Sequence, residues 1–164
     1  MSSIHVEITG GLQELLRDMA KLENADTGAA MAAIGEGLRE SAIRRFDTST
    51  SPEGKKWKAS VRVREKGGKT LIKTAKLRNS IHTEYDDTGM AVGTNSIYAA
   101  THQFGDSGRE IRPKNKKVLR FQINGKWISA KKVTVNIPAR PFLGISEEDD
   151  EEIRAILDAM MKGE

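Results

Sequence analysis

The sequence predicts an α+β fold in which helices come first, antiparallel strands follow and one helix closes the chain. Three observations support this prediction. Apolar residues recur at helical spacing up to Phe46, period-two runs with turn residues between them fill the middle, and an amphipathic stretch follows Ser146. No strand–helix–strand rhythm repeats, so a parallel sheet is not expected. We expect one domain over residues 1–146 and a C-terminal acidic amphipathic helix over residues 147–164.

The N-terminal part predicts a short strand followed by two helices. The run "IHVEI" (residues 4–8) alternates apolar and polar residues, which is typical of a strand. Beyond Gly10-Gly11, "LQELLRDMAKLE" places leucines and a methionine at steps of three and four, which indicates an amphipathic helix. Asp26 or Thr27 is a suitable N-cap for a second helix, "GAAMAAIGEGLRESAIRRF". The small residues of this helix allow a neighbouring backbone to approach closely.

The middle of the chain alternates turn-forming residues with short regular segments. The stretch "DTSTSPEGKKW" is rich in turn formers. The basic stretch "VRVREKGGKTLIK" contains Gly67-Gly68, and it predicts an exposed, mobile loop or hairpin over about residues 61–73. "TAKLRNSI" favours a short helix. "IHTEYD" and "MAVGT" are joined by Asp87, Thr88 and Gly89, which indicates a hairpin.

A short helix, a second hairpin and a closing helix complete the predicted architecture. "SIYAATHQFG" predicts a helix that ends at Gly105. Asn124-Gly125 is a strong hairpin signal between "KVLRFQI" and "KWISAKKVTVNI". "PARPFLGIS" is held rigid by its prolines. Ser146 is a candidate N-cap for the last helix, whose acidic first turn suits the helix dipole.

Charge is arranged in blocks along a chain of 164 residues with a net charge of +4. From Lys55 to Arg78 there are ten basic residues and one acid, and the same counts hold from Arg109 to Arg140. Glu147 to Asp158 holds seven acids and one base. Such blocks attract polyanions, neutralise one another within a chain or pair between subunits. The composition leaves all three alternatives open.

No enzyme, metal or membrane class is favoured. The chain has no cysteine, which excludes disulfides and thiolate chemistry. Its histidines, His5, His82 and His102, lack metal-ligand spacing, and neither a G-x-S-x-G elbow nor a complete phosphate-binding loop occurs. No apolar run approaches the roughly 20 residues of a membrane span, and the N-terminus lacks the pattern of a signal peptide. We therefore expect a soluble, cytoplasmic, non-enzymatic protein without a cofactor.

Three segments of the chain are distinctive in composition and order. They are "FDTSTSPEGKKW" (residues 46–57), "VGTNSIYAATHQFG" (residues 92–105) and "IPARPFLGIS" (residues 137–146). Together they resemble the phage virion morphogenesis family, which contains Mu-type G proteins and tail completion proteins. The resemblance covers about two-thirds of the chain. One departure is Ala75, where the family usually has glycine, and it argues against a special glycine backbone conformation at that position.

The resemblance implies a structural virion protein that acts late in tail assembly, at or near the head–tail junction, as a ring. The implied partners are further copies of this chain, other phage neck and tail proteins, and DNA that passes through the channel. The implied location is the tail or neck of the virion, after assembly in the bacterial host cytoplasm.

Two alternative functions stay open. The first is a tail terminator of the same assembly. The second is a free-standing basic nucleic-acid-binding protein. The second alternative has few aromatic side chains for base stacking, because only Trp57, Phe121 and Trp127 lie in or near the basic blocks.

The second and third segments supply candidates for a structural corner or a docking surface: Tyr98, His102, Gln103, Phe104, Gly105, Pro138, Arg140, Pro141 and Phe142. We expect Tyr98, His102 and Phe104 to pack their helix against the sheet. We expect His102 and Gln103 to bind backbone groups, and Arg140 to anchor the proline segment through its guanidinium fork.

Charged residues supply two further candidate surfaces. Basic residues from both blocks are candidates for contact with DNA or a partner: Lys55, Lys56, Arg62, Arg64, Lys66, Lys69, Lys116 and Lys117. The C-terminal helix is expected to contact a neighbouring subunit through acids and an apolar stripe: Glu147, Glu148, Asp149, Asp150, Ile153, Ile156 and Leu157.

Overall fold

A computed structural model describes residues 4–7, 27–87, 89–123 and 125–162, which form helices and antiparallel strands, so the predicted α+β class is confirmed. The helices are α1 (Thr27–Thr48), α2 (Val61–Lys66), α3 (Lys76–Asn79), α4 (Ala99–Phe104) and α5 (Glu147–Lys162). The strands are β1 (Ile4–Glu7), β2 (Ile81–Asp86), β3 (Gly89–Thr94), β4 (Asp106–Ile111), β5 (Leu119–Ile123), β6 (Lys126–Ala130) and β7 (Val133–Ile137). The helix predicted for "LQELLRDMAKLE" lies outside the described residues. None of the described helices is long and apolar enough to cross a membrane.

The core lies between α1, a three-stranded sheet and α5. The sheet is antiparallel in the order β1–β3–β2, α1 lies across β2 and β3, and α5 packs against α1. The buried side chains of α1 fall at the helical spacing that the sequence predicts, and they include Met31, Ile34, Leu38, Ala42 and Phe46. A Cβ at Gly35 would collide with Thr83 of β2, so the close approach of helix and sheet requires glycine there.

The other four strands form two antiparallel two-stranded ladders over residues 106–137, which we together call the arm. β4 pairs with β7, and the β5–β6 hairpin lies inside the connection between them, so the two ladders are nested. Residues 112–118 interrupt one strand of the arm, and residues 131–132 interrupt the other. The hairpin of β5 and β6 was predicted. Strand β4 was not predicted. Residues 126–137 were interpreted as one strand, although they form β6 and β7.

The predicted loop or hairpin over residues 61–73 is wrong in its secondary structure. Residues Val61–Lys66 form α2, and the hydroxyl of Ser60 caps it by accepting a hydrogen bond from the Val63 amide at 3.3 Å. The guanidinium of Arg62 donates to three main-chain carbonyls between residues 67 and 72, at 2.6–3.4 Å. These contacts supply local order despite the like charges. The mobility of this segment in the free subunit stays a prediction.

The C-terminal helix α5 belongs to the same core as the rest of the chain. Ile153 and Leu157 are buried in a hydrophobic cluster with residues of α1, and Ile156 is half-buried against that cluster. Ile153 and Leu157 were expected to contact a neighbouring subunit. That expectation is wrong, because the apolar stripe of α5 is already covered by α1 of its own chain.

Ala75 corrects a further expectation. It precedes α3 with φ 56° and ψ 8°, in the left-handed region that favours glycine. The special backbone conformation is therefore present even though the glycine is not. Such a conformation costs a residue with a Cβ atom about 1–2 kcal/mol.

Replacing Ala75 by glycine should stabilise the protein by about 0.5–1 kcal/mol, because relief of the left-handed strain exceeds the extra entropy of the unfolded chain. Urea unfolding measures the change. Ala33→Gly, on the exposed side of α1, is the matched control and should lose about 1 kcal/mol. Equal destabilisation by both substitutions would contradict the strain at Ala75.

Candidate functional site at the junction of three segments

The three distinctive sequence segments meet in one place, which we call the motif junction (residues 45–57, 102–105 and 138–146). Its centre is aromatic. The ring of Phe46 lies 5.6 Å from that of Trp57 in an edge-to-face arrangement, and 5.2 Å from that of Phe142. All three side chains are buried. Phe46 and Trp57 are the two ends of the first segment, and Phe142 lies in the third. The aromatic cluster therefore holds the first and third segments together.

Hydrogen bonds to main-chain atoms connect the proline segment to the other two. The indole Nε1 of Trp57 donates to the Pro141 carbonyl at 3.0 Å. Arg140 donates from Nε to the Lys58 carbonyl at 2.8 Å, and its amide donates to the His102 carbonyl at 2.7 Å. The predicted anchoring by Arg140 is thus confirmed, although its side chain donates from Nε alone and not from two guanidinium nitrogens together. Buried Arg140 and buried Phe142 serve as structure here, so neither offers a docking surface.

Gln103 confirms its predicted role. Its Nε2 donates to the Leu143 carbonyl at 2.8 Å, and its Oε1 accepts from the amides of Phe142 and Leu143, each at 3.1 Å. Gly105 ends α4 with φ 78°, as predicted, and a Cβ there would lie 2.8 Å from the Ala139 amide nitrogen. Glycine is therefore required where α4 meets the proline segment.

Tyr98 and Phe104 do not pack α4 against the sheet, so that prediction is wrong. Their exposed fractions are 62% and 72%, whereas Ala99 is fully buried. The reason is geometric: the helix turns its small residue Ala99 and the amide of Gln103 inward, so Phe104 at its end and Tyr98 just before it stay exposed.

His102 contributes its carbonyl and not its ring. The imidazole Nδ1 is buried and has no hydrogen-bond partner among the described residues. Burial, and then the nearby charge of Arg140, lower the pKa of His102, so the ring is neutral near pH 7. The prediction that this side chain binds a backbone group is therefore wrong.

A buried ion pair between Arg45 of α1 and Asp149 of α5 connects the motif junction to the C-terminal helix. The side chains are only 7% and 5% exposed, and Nη2 lies 2.5 Å from Oδ2. Nη1 donates to the carbonyls of Phe142 and Gly144 at 3.1 and 2.8 Å. Asp149 also accepts from the Ser146 amide at 2.8 Å, and its own amide donates to Ser146 Oγ at 3.2 Å. The predicted cap at Ser146 is confirmed, and the expected contact of Asp149 with another subunit is wrong, since Arg45 already occupies it.

An open cleft with a volume of about 540 Å³ lies beside this ion pair, and we call it the junction cleft. It lies between the turn over residues 48–54 and the start of α5 at residues 145–148. Its lining includes three exposed carboxylates and one exposed apolar side chain: Glu53, Glu147, Glu148 and Ile145. Gly144 packs closely against Pro52, one of the lining residues, because a Cβ at position 144 would lie 2.7 Å from Pro52 Cγ.

The motif junction and the junction cleft fall within one match to a known family. The model of the phage virion morphogenesis family matches residues 6–162. The chain belongs to this family. The resemblance of the three segments is thereby confirmed, and membership gives the chain a role in phage morphogenesis, of a structural kind and associated with the virion.

Two relatives of this family member come from Haemophilus influenzae. The Mu-like prophage FluMu G protein 2 is 32% identical over 152 residues, which cover 92% of this chain and 90% of the relative. The Mu-like prophage FluMu G protein 1 is 25% identical over 167 residues, which cover 94% and 93%. No solved structure matches this chain.

The basic residues proposed for DNA or partner contact divide into two groups in this family member. Lys56 donates to the Thr48 carbonyl at 2.7 Å, Lys69 pairs with Asp47 at 2.7 Å, and Arg62 binds the carbonyls that follow α2. The remaining candidates are exposed: Lys55, Arg64, Lys66, Lys116 and Lys117. Within the described part of the chain, no group of three or more histidine, aspartate or glutamate side chains could hold a metal ion.

Proposed function

We propose that this chain is a non-enzymatic structural subunit of the neck or tail-completion assembly of a tailed phage. In this proposal it forms a homo-oligomeric ring and takes part in head–tail joining. Its partners are further copies of itself, other neck and tail proteins, and DNA in the channel. A tail terminator of the same assembly is the related alternative.

The observation that supports this proposal is the contrast between the two sides of α4. On the inner side, Gln103 holds the main chain of residues 142–143 through both the nitrogen and the oxygen of its side-chain amide. Away from this inner side, Ile97 and Tyr98 just before α4 and Phe104 at its end are exposed by 75%, 62% and 72%. Large aromatic side chains on a rigid support are typical of the energetic centre of a protein interface.

The polar groups of the motif junction do not form a catalytic set. An activated nucleophile needs a base within hydrogen-bond reach and a third group that orients the base. Here Asp149 is bound to Arg45 and Ser146, and the ring of His102 has no hydrogen-bond partner at Nδ1 among the described residues. These groups stabilise the fold, which favours an assembly function.

A free-standing nucleic-acid-binding protein is less well supported. Arg62, Lys56 and Lys69 bind groups of their own chain, which leaves fewer cations for phosphates. The exposed basic residues still suit contact with DNA inside a channel, where many copies would act together.

Removing the outer aromatic side chains of α4 should block particle completion and leave the fold intact. The test replaces Tyr98 and Phe104 by alanine and supplies the variant to a prophage that lacks the gene. We expect at least a tenfold loss of infectious particles, with unjoined heads and tails visible by electron microscopy. Exposed substitutions of this kind change stability by about 0.5 kcal/mol or less.

Tyr85→Ala is the matched control, because Tyr85 is 59% exposed and belongs to β2, not to α4 or the residues just before it. The control should complement fully. Full complementation by the double variant would count against the proposed interface. A catalytic turnover that disappears in a folded His102→Ala variant would count against the non-enzymatic role.

A further inference from the structure

We infer that the junction cleft receives the tip of the β5–β6 hairpin from a neighbouring copy of this chain. The inference rests on the proposed ring and names the contact that would build it. The occupant is a second copy, inserted head to tail, so that each subunit gives its tip to one neighbour and its cleft to the other.

The tip of the arm presents apolar side chains that its own two strands do not cover. The register places Phe121 opposite Ile128 on one face, and Trp127 opposite Gln122 on the other. Ile123 and Trp127 are 50% and 63% exposed. An isolated two-stranded hairpin is only marginally stable in water, and an exposed apolar tip is best explained by burial against a partner.

The tip and its flanks are cationic. The tip (residues 119–130) carries Arg120 and Lys126, and its flanks add six more, so residues 112–132 contain eight lysines and arginines and no aspartate or glutamate. The guanidinium of Arg120 lies 5.2 Å from the centre of the Trp127 ring, and this cation–π contact holds a charge beside the apolar surface. Exposed Lys126 lies next to the turn of the hairpin. The tip therefore combines an aromatic anchor with positive charge.

The junction cleft has the opposite charge. Glu53, Glu147 and Glu148 are exposed at its lining, and Arg44 is the exposed cation there. The charge of Arg45 is matched inside the chain by Asp149, so it does not cancel the carboxylates of the cleft. In the first turn of α5, Asp149 pairs with Arg45 and Asp150 with Arg154, and the two remaining acids, Glu147 and Glu148, still exceed the half positive charge that a helix dipole places at its N-terminus. Exposed Ile145 supplies an apolar surface for the tip.

Complementary surfaces on different parts of one chain favour a contact that repeats from copy to copy. The tip lies in residues 119–130 and the cleft in α1, the turn after it and the start of α5. A tip-to-cleft contact is therefore heterologous, and such contacts close into a ring when the rotation between neighbours allows it. Charge complementarity sets the register and speeds the encounter.

Reversing charge on one side at a time tests this contact. The tip variant is Arg120→Glu with Lys126→Glu, and the cleft variant is Glu147→Lys with Glu148→Lys. Each alone should weaken self-association at least tenfold in sedimentation or light scattering. The chain that carries all four substitutions, and an equimolar mixture of the two variants, should both recover association because each tip then meets an opposite charge.

Lys73→Glu with Lys76→Glu, at two exposed positions outside the candidate contact residues, is the matched control for the net charge of the tip variant and should associate like the wild type. If the wild type associates and the tip and cleft variants associate equally well, the tip-to-cleft contact is overturned. The proposed ring is not contradicted by that result. If the variants associate normally but fail to complete particles, another neck or tail protein occupies the cleft, which also overturns the tip-to-cleft contact. A wild type that stays monomeric at all concentrations and in the virion overturns the ring as well.

Discussion

Phe142→Ala should destabilise the protein by about 3–5 kcal/mol, the usual range for removing a buried phenylalanine side chain. Phe142 is fully buried, and its ring packs 5.2 Å from that of Phe46. Its amide is held by Gln103 and its carbonyl accepts from Arg45. The fixed main chain limits how far the surroundings can collapse into the cavity, which favours the upper part of the range.

Urea unfolding measures this effect, and Phe104→Ala is the control. It removes the same side chain from the same motif junction, but at a position that is 72% exposed, so its effect on stability should stay within about 0.5 kcal/mol. The pair should also separate by function: Phe104→Ala should impair particle completion in a folded protein. A loss of less than about 1 kcal/mol for Phe142→Ala would contradict the central place of the aromatic cluster.

Loss of stability must also be separated from loss of subunit contact in variants of the C-terminal helix. Truncation after Ser146 would remove Ile153 and Leu157 from the core, so loss of assembly in such a variant would reflect unfolding. Substitution of exposed Glu147 and Glu148 leaves the core intact and isolates the charge of the cleft. Only the second kind of variant tests subunit contact.

Much of the fold could be predicted because local patterns and tertiary packing agree. The apolar stripe of α1, the hairpin between β2 and β3 and the cap at Ser146 all follow from spacing and turn chemistry. β4 was missed because "DSGREI" has no apolar alternation, contains Gly108 and shifts register between Asp106 and Arg109. Its strand character comes from pairing with β7, a contact that local sequence does not reveal.

The candidate site was predicted less completely, for a similar reason. The role of Gln103 could be predicted because it is a polar residue next to the predicted end of a helix, where backbone groups need hydrogen-bond partners. Arg45 was missed because a cation in a helical sequence normally faces solvent, although its position three residues after Ala42 lies on the buried face of α1. Its partner Asp149 is 104 residues away along the chain. No local pattern connects the two.

Asp149→Ala should cost about 3–5 kcal/mol, because it leaves the buried guanidinium of Arg45 without its counter-charge. Arg45 cannot lose its proton in compensation: burial lowers its pKa, but a guanidinium stays charged in proteins. The substitution also removes the capping contacts with Ser146. Asp150→Ala is the control, since Asp150 forms only an exposed pair with Arg154, worth about 0–1 kcal/mol.

The pH dependence of unfolding should identify the same carboxylate. Burial raises the pKa of Asp149, but hydrogen bonds from Ser41 and Ser146 and the charge of Arg45 together outweigh it and leave the pKa below its ordinary value of 3.8. Because the folded state holds the ionised form more strongly than the unfolded chain does, this stabilisation is complete above that value. It is lost as the pH falls through the lower pKa of the folded state. The Asp149→Asn variant lacks the titrating group, so its stability should fall less than that of the wild type between pH 5 and pH 2, as followed by urea unfolding. Parallel curves for the two proteins would show that the ion pair contributes nothing to acid stability, whereas a flatter curve for the variant alone would assign that contribution to Asp149.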